Sequence, residues 1–410
     1  VPYAMNGLPS GSVVLSASNP NPALEAKGYS LVYSDVNFPE DWAVALQNEL
    51  GIPGNGIAGM NSMEMVTFGS YVGFYNEMGG ATPGESSPFY YSQDGIFWNE
   101  SDLPFNLAPA MPGGYGDVSV ELNANLYIVS NNTTPAPGEA TFRVATTSNG
   151  ADWTELSVSL PVSNISSFDL EAYANQIWLF GSVDASIRTL LKSSDGATWD
   201  AVATPEWDQM GVGYMVSTPE RLVVSAPLSG GGPGSGEYVW STTDGITWTQ
   251  SNEVIPSGGS AYTDGVQMAF TNGALWTFGV PEGEMSLALY KSTDWGNSWS
   301  QVTTNLPSIQ NATYELMSLA PSPGLIYGFG NSASTTGTYI SEDGSDWRKV
   351  ASGNLFYSGM GSGADINNLS LSSTGKAWLY YSYDSATVPY QLYSIGGPLR
   401  NGRFFYYQKD

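Results

Sequence analysis

Four pairs of an aromatic and an acidic residue are the side chains in this sequence whose types and spacing suit chemistry on a ligand: Tyr115 with Asp117, Trp207 with Asp208, Tyr262 with Asp264, and Tyr314 with Glu315. Phe168-Asp169 and Asp365 occupy related places. An aromatic face stacks on the C–H surface of a sugar ring, and a carboxylate accepts hydrogen bonds from its hydroxyls, so a recurring pair of this kind fits a glycan. The competing reading is architectural, with the rings as packing residues that open strands and the acids as turn caps.

Catalysis has few groups to draw on. The chain has no histidine and no cysteine, which removes the commonest general base, the base of a serine triad, thiol nucleophiles and the usual zinc ligands. What remains is carboxylate chemistry, as in glycoside hydrolysis, and spacing alone does not say which acids converge. No loop carries the closely spaced oxygen ligands of a dedicated calcium site, and no metal or cofactor is expected. A binding role without catalysis is the expectation, with a secreted carboxylate-dependent glycoside hydrolase as the enzymatic alternative.

The elements that must position these pairs announce themselves by repetition. Six copies of one signature run down the chain: Ser92-x-Asp94-Gly95-x-x-Trp98, Thr147-x-Asn149-Gly150-x-x-Trp153, Ser193-x-Asp195-Gly196-x-x-Trp199, Thr242-x-Asp244-Gly245-x-x-Trp248, Ser292-x-Asp294-x-Gly296-x-x-Trp299 and Ser341-x-Asp343-Gly344-x-x-Trp347. The tryptophans recur about every fifty residues, the period of a propeller or an array. Each copy reads as a hairpin: a hydroxyl residue ends one strand, Asp-Gly turns the chain, and a tryptophan leads into the next strand.

The signature resembles the Asp-box, or BNR, repeat of sialidase-like β-propellers, and Ser292-Thr-Asp294-Trp-Gly296-Asn-Ser-Trp299 matches the form Ser-x-Asp-x-Gly-x-x-Trp without change. The resemblance covers residues 92 to 347. It implies a ring of four-stranded blades and, in the sialidases, an arginine triad that holds the substrate carboxylate, its first member near the N-terminus. Here the arginines are Arg143, Arg188, Arg221, Arg348, Arg400 and Arg403, so the first member is missing and sialidase activity is not expected.

An apolar strand precedes each signature, as in Ile177-Trp-Leu-Phe-Gly181 and Leu275-Trp-Thr-Phe-Gly279, and Ala377-Trp-Leu-Tyr-Tyr-Ser382 extends the register to a seventh unit completed by Tyr393-Ser394 and Phe404-Phe-Tyr-Tyr407. Val13-Val-Leu-Ser16, Tyr29 to Asp35 and Trp42 to Ala45 repeat the same order and read as an eighth. The predicted fold is therefore all-β, a β-propeller of four-stranded blades, eight in preference to seven. Residues 1–410 are expected to form one domain, with 1–22 as an extended N-terminal arm.

Composition bears on partners. With 38 acids against 12 bases the formal charge is −26, so a nucleic-acid partner is not expected, because phosphate contacts require Lys and Arg clusters. No apolar run is long enough to cross a membrane as a helix, and membrane insertion is not expected. Charged residues make up only 12% of the chain, which leaves a surface of Ser, Thr, Asn, Gly and Tyr suited to an extracellular protein or a virion surface. The expected partner is a glycan or a protein. The third alternative is a structural decoration or tail subunit of a bacteriophage or other surface assembly.

Overall fold

The computed structural model describes residues 13–16, 29–36, 43–44, 63–76, 87–93, 99–105, 107, 117–131, 141–162, 165–183, 187–205, 215–227, 237–255, 268–279, 281, 288–306, 313–318, 325–330, 337–341, 343–352, 369–371, 377–381, 391–395 and 404–409. Every regular element among them is a strand. The strands form seven four-stranded antiparallel sheets and one three-stranded sheet. The inner strands of the seven are Met63–Phe68, Asp117–Leu122, Ser166–Tyr173, Met215–Ser217, Met268–Thr271, Thr313–Ser318 and Leu369–Leu371, and the sheets are called first to seventh in that order. From the first to the sixth, each inner strand lies beside the next, and that of the seventh lies against that of the first. This is the β-propeller arrangement.

Burial changes from the middle to the rim of each sheet. In the fifth, all six residues of Ala274–Gly279 are buried, as expected for a strand covered on both faces. At the rim, Thr154–Glu155 is exposed throughout and Asn99–Asp102 nearly so. Short, charged outer strands discourage a further strand from pairing on the edge.

The hydrophobic core lies between sheets. Leu122, Tyr127, Val129 and Phe142 of the second sheet pack on Phe168, Leu170, Leu179 and Trp199 of the third in one buried cluster. Trp199 is 3% exposed and meets Phe142 edge-on at 6.2 Å.

The recurring turn makes that contact possible. In the third sheet the Gly196 amide donates to Ser193 Oγ at 2.8 Å, the Ser193 hydroxyl donates to Asp195 Oδ1 at 3.1 Å, and the same carboxylate oxygen accepts the amides of Ala197 and Thr198 at 2.8 and 2.9 Å. Trp199 Nε1 closes the turn on the Gly196 carbonyl at 2.9 Å. The contact of glycine amide with hydroxyl recurs at Thr147, Thr242, Ser292 and Ser341, at 2.8 or 2.9 Å each time, and the indole closure recurs at Trp153 and Trp347. Amides from Thr247 and Ile246 hold the Asp244 carboxyl at about 2, and amides from Asp346 and Ser345 do the same for Asp343. Of the first copy, Asp94, Gly95 and Trp98 lie outside the described residues.

Each turn also presses on the sheet before it. Gly245 has φ +71°, and a methyl group there would sit 2.2 Å from the ring of Trp178 in the third sheet; at Gly344, φ +80°, it would sit 2.3 Å from Trp276 in the fifth. Glycine is thus required twice, for the left-handed backbone and for the close approach. Trp178 and Trp276 each lie under a lysine of the neighbouring strand, Lys192 at 5.7 Å and Lys291 at 4.8 Å, and each donates its Nε1 to the carbonyl that ends its inner strand. In the fifth sheet the turn is one residue longer. There Trp295 takes φ +63°, and Trp299 Nε1 is buried with no acceptor among the described residues.

The chain ends are arranged differently from the sequence expectation. The outer strand of the seventh sheet is Ala43–Val44, paired with Ser394 and Tyr393, while Phe404–Lys409 is the middle strand between Val13–Ser16 and Tyr29–Val36. The N-terminal strands grouped as one unit are therefore divided between two sheets. Val13 to Ser16, the described part of the expected arm, pair with Gln408 to Phe405 of the same chain, which satisfies backbone groups that an extended arm would leave to solvent or a partner.

Two consequences are measurable by chemical denaturation. Trp199→Ala is expected to cost about 3–5 kcal/mol, the range for truncating a buried aromatic; a cost under about 1 kcal/mol would mean that the ring does not bind the two sheets. Gly245→Ala is expected to cost about 2–4 kcal/mol, from left-handed strain and overpacking together, whereas Gly273→Ala, with φ +68° but open space around the new methyl, should show only the strain of about 1–2 kcal/mol. Equal costs would remove the contact with Trp178 from the account.

Candidate functional site

Antiparallel order fixes which loops share an end of the propeller. The recurring turns join third to fourth strands and lie at the same end as the hairpins that join inner to second strands. Connections from an outer strand to the next inner strand emerge at the opposite end, together with the loops between second and third strands. The first end is the turn face and the second the connection face.

Three candidate residues belong to inner strands and not to the connections before them. Asp117 opens the inner strand of the second sheet opposite Ser130, and Tyr314 and Glu315 stand near the start of that of the sixth, opposite Phe329 and Gly328. All three positions are at the connection-face end. Tyr115, Trp207, Asp208, Tyr262, Asp264 and Asp365 lie outside the described residues, each in a stretch that leads into an inner strand.

Phe168-Asp169 is the pair whose side chains are both described, and both serve the fold. Phe168 is buried between the second and third sheets. Asp169 faces the other way, and its Oδ2 accepts the Met215 amide of the fourth sheet at 2.8 Å. Two residues on, Glu171 Oε2 accepts the Ser217 hydroxyl at 2.8 Å, and two further on, Tyr173 donates its hydroxyl to the carbonyls of Glu220 and Thr243 at 2.8 and 3.1 Å. Alternate residues of one strand thus stitch the third sheet to the fourth.

Glu171 was not singled out from the sequence. Burial pushes its carboxyl up to about 8, with the Asp169 charge adding to the rise against hydrogen bonds from Ser217 and from the Ala172 amide. The signal was present as Asp169-x-Glu171, two acids on one face of a strand that packs on its neighbour. Such a proton-holding carboxyl could act as an acid, but here it accepts the Ser217 hydroxyl in the joint between two sheets.

The two arginines with described side chains are committed as well. Arg143 forms a bidentate pair with Glu155, at 2.7 Å from Nε and 2.9 Å from Nη2, and lies 4.7 Å over the Phe105 ring. Arg221 lies 5.3 Å over Trp295, which stacks on Phe270, and donates to Ser241 Oγ at 3.1 Å. The side chains of Arg188 and Arg348, and Arg400 and Arg403 altogether, lie outside the described residues. Among the described residues, no group of three or more acids is placed to hold a metal ion, and no helix is long and apolar enough to cross a membrane.

The elevated Glu171 carboxyl has a signed consequence. The folded chain keeps this proton where the unfolded chain has lost it, so from pH about 4 to about 8 the contribution of Glu171 to stability falls as pH rises, and it levels off above the folded value. Denaturation midpoints measured across that window should show a downward slope that Glu171→Gln flattens. An unchanged slope in the variant would exclude Glu171 as its source.

No family model matches the sequence, and no curated protein is significantly similar to it. Solved structures are similar in fold. The β-propeller domain of the Trilobed protease from Pyrococcus furiosus, described as having an open velcro topology, superposes with a TM-score of 0.52 at 9% identity over 82% of this chain and 94% of that one. The polysaccharide lyase Uly1 superposes with a TM-score of 0.50 at 8% identity over 92% and 99%. At these identities the likeness is one of fold, and the fold is a β-propeller.

Proposed function

We propose that this protein is a non-catalytic propeller of the Asp-box type that recognises a glycan at its connection face, outside the cell or on a virion surface. The observation that supports the reading is the division of labour between the two ends. At the turn face, the hydroxyls and the aspartate or asparagine side chains of the second to sixth recurring turns are occupied by their own turns, and Trp199 by the joint to the preceding sheet. The remaining aromatic–acid residues, Tyr115, Asp117, Trp207, Asp208, Tyr262, Asp264, Tyr314 and Glu315, belong to inner strands or to the stretches that lead into them.

Chemistry favours a neutral or weakly charged sugar. The formal charge of −26 repels polyanions at long range, while tyrosine and tryptophan faces with neighbouring carboxylates supply stacking and acceptors for hydroxyl groups. One fold relative is a polysaccharide lyase, so a propeller of this general shape handles polysaccharide in at least that protein. A role as a structural subunit of a particle draws less support, because Val13–Ser16 pairs within its own chain.

Trp207→Ala combined with Tyr262→Ala is expected to abolish retention on a glycan array and to leave the melting temperature nearly unchanged. Undiminished retention would reject the connection face as the site. Release of reducing sugar from a bound glycan by the unmodified protein would replace the binding reading with that of a carboxylate hydrolase.

A further inference from the structure

Asn-Gly is the dipeptide most prone to spontaneous loss of the side-chain amide, because the small glycine lets its backbone nitrogen reach the asparagine side chain. Two of these dipeptides stand in described turns, Asn149-Gly150 and Asn272-Gly273, and they differ in exposure and in what holds the glycine nitrogen that must attack.

Asn149 occupies the aspartate position of the second recurring turn. Gly150 is buried, and its N–H is donated to Thr147 Oγ1 at 2.9 Å. Asn149 Oδ1 accepts the amides of Ala151 and Asp152, both at 2.9 Å, and its Nδ2 donates to Asp152 Oδ2 at 2.9 Å. The nitrogen that must attack is therefore occupied and the side chain that must receive it is tied at both of its polar atoms. Asn272 and Gly273 form the hairpin between inner and second strands of the fifth sheet, with φ +52° and +68°. Both are exposed, a Cβ added at Gly273 would meet nothing within 4 Å, and no acceptor among the described residues takes the Gly273 N–H.

We propose that Asn272 is a modification site of the folded protein, deamidating at Asn272-Gly273, while the recurring turn shields the same dipeptide at Asn149-Gly150. The Gly273 nitrogen, after losing its proton to solvent base, bonds to Cγ of Asn272; the bond from Cγ to the side-chain nitrogen breaks and ammonia leaves, giving a succinimide. Water then opens the ring at one of its two carbonyls to give aspartate or isoaspartate. The sum is amide plus water to acid plus ammonia, with no oxidant or reductant. Isoaspartate would reroute the main chain next to Thr271, whose carbonyl accepts Trp276 Nε1 at 3.2 Å, and Trp276 is the ring on which Gly344 of the next sheet rests.

The test is ageing of the whole protein in mildly alkaline buffer, followed by trypsin and mass spectrometry of two peptides, that between Arg143 and Arg188 and that between Arg221 and Lys291, which contain one of these dipeptides each. In native buffer the peptide with Asn272 should gain acid at least about tenfold faster than the one with Asn149, whose reaction waits for local opening. In urea the two rates should converge, and Asn272→Gln should abolish the fast native gain. Thr147→Val, which removes the acceptor of the Gly150 amide, should speed loss at Asn149. Equal native rates in the two peptides, or a native rate at Asn149 matching that in urea, would overturn the proposal, and neither outcome bears on glycan retention.

Discussion

The approach of a glycine to an aromatic or aliphatic side chain of the preceding sheet is the contact on which the rest of the molecule depends. Gly150 on Tyr91, Gly196 on Tyr127, Gly245 on Trp178, Gly296 on Val239 and Gly344 on Trp276 are the same event in successive sheets. The hydroxyl and the aspartate or asparagine of each turn place the glycine in the left-handed region, and only in that conformation, without a Cβ, does the turn come within van der Waals contact of its neighbour. A local hairpin and a long-range joint are therefore one structure. A turn that fails to form also fails to cover the ring beneath it.

Electrostatics follows the same plan. Four of the few cations, Arg143, Lys192, Arg221 and Lys291, lie over aromatic rings, and among them only Arg143 also has a carboxylate partner among the described residues. A lysine over a buried tryptophan covers apolar surface with its stem and sets its charge against the ring face. Carboxylates in the turns are held by backbone amides, with no cationic partner among the described residues. The negative charge of Asp195, Asp244, Asp294 and Asp343 is thereby set against peptide dipoles of their own turns.

Much of this was legible in the sequence. The turn residues and the apolar strands gave the sheets from 63 to 352, since hairpins between neighbours depend on local chemistry that a sequence displays directly. What escaped was pairing between distant segments. Nothing in Val13-Val-Leu-Ser16 or Trp42-Ala-Val distinguishes a partner at Phe405 or Tyr393 from one nearby, because period-two alternation specifies a face and not a neighbour. The same limit hid Glu171. Its alternation with Asp169 marks one side of a strand, but its carboxyl holds a proton because the fourth sheet covers it. The described parts of the candidate glycan site are positions at strand ends, legible as recurring pairs and not as a geometry.

The pairing of Val44 with Tyr393 has a bearing on how the chain is made. During synthesis the first to sixth sheets can assemble in order as each hairpin leaves the ribosome, while Val13–Ser16, Tyr29–Val36 and Ala43–Val44 wait for partner strands that lie beyond residue 390. Ring closure is then the last and slowest event, dominated by the entropy of bringing the ends together. Until it happens, the first sheet lacks the neighbour that its inner strand meets in the finished fold, and a crowded polysome is where it is most open to other nascent chains.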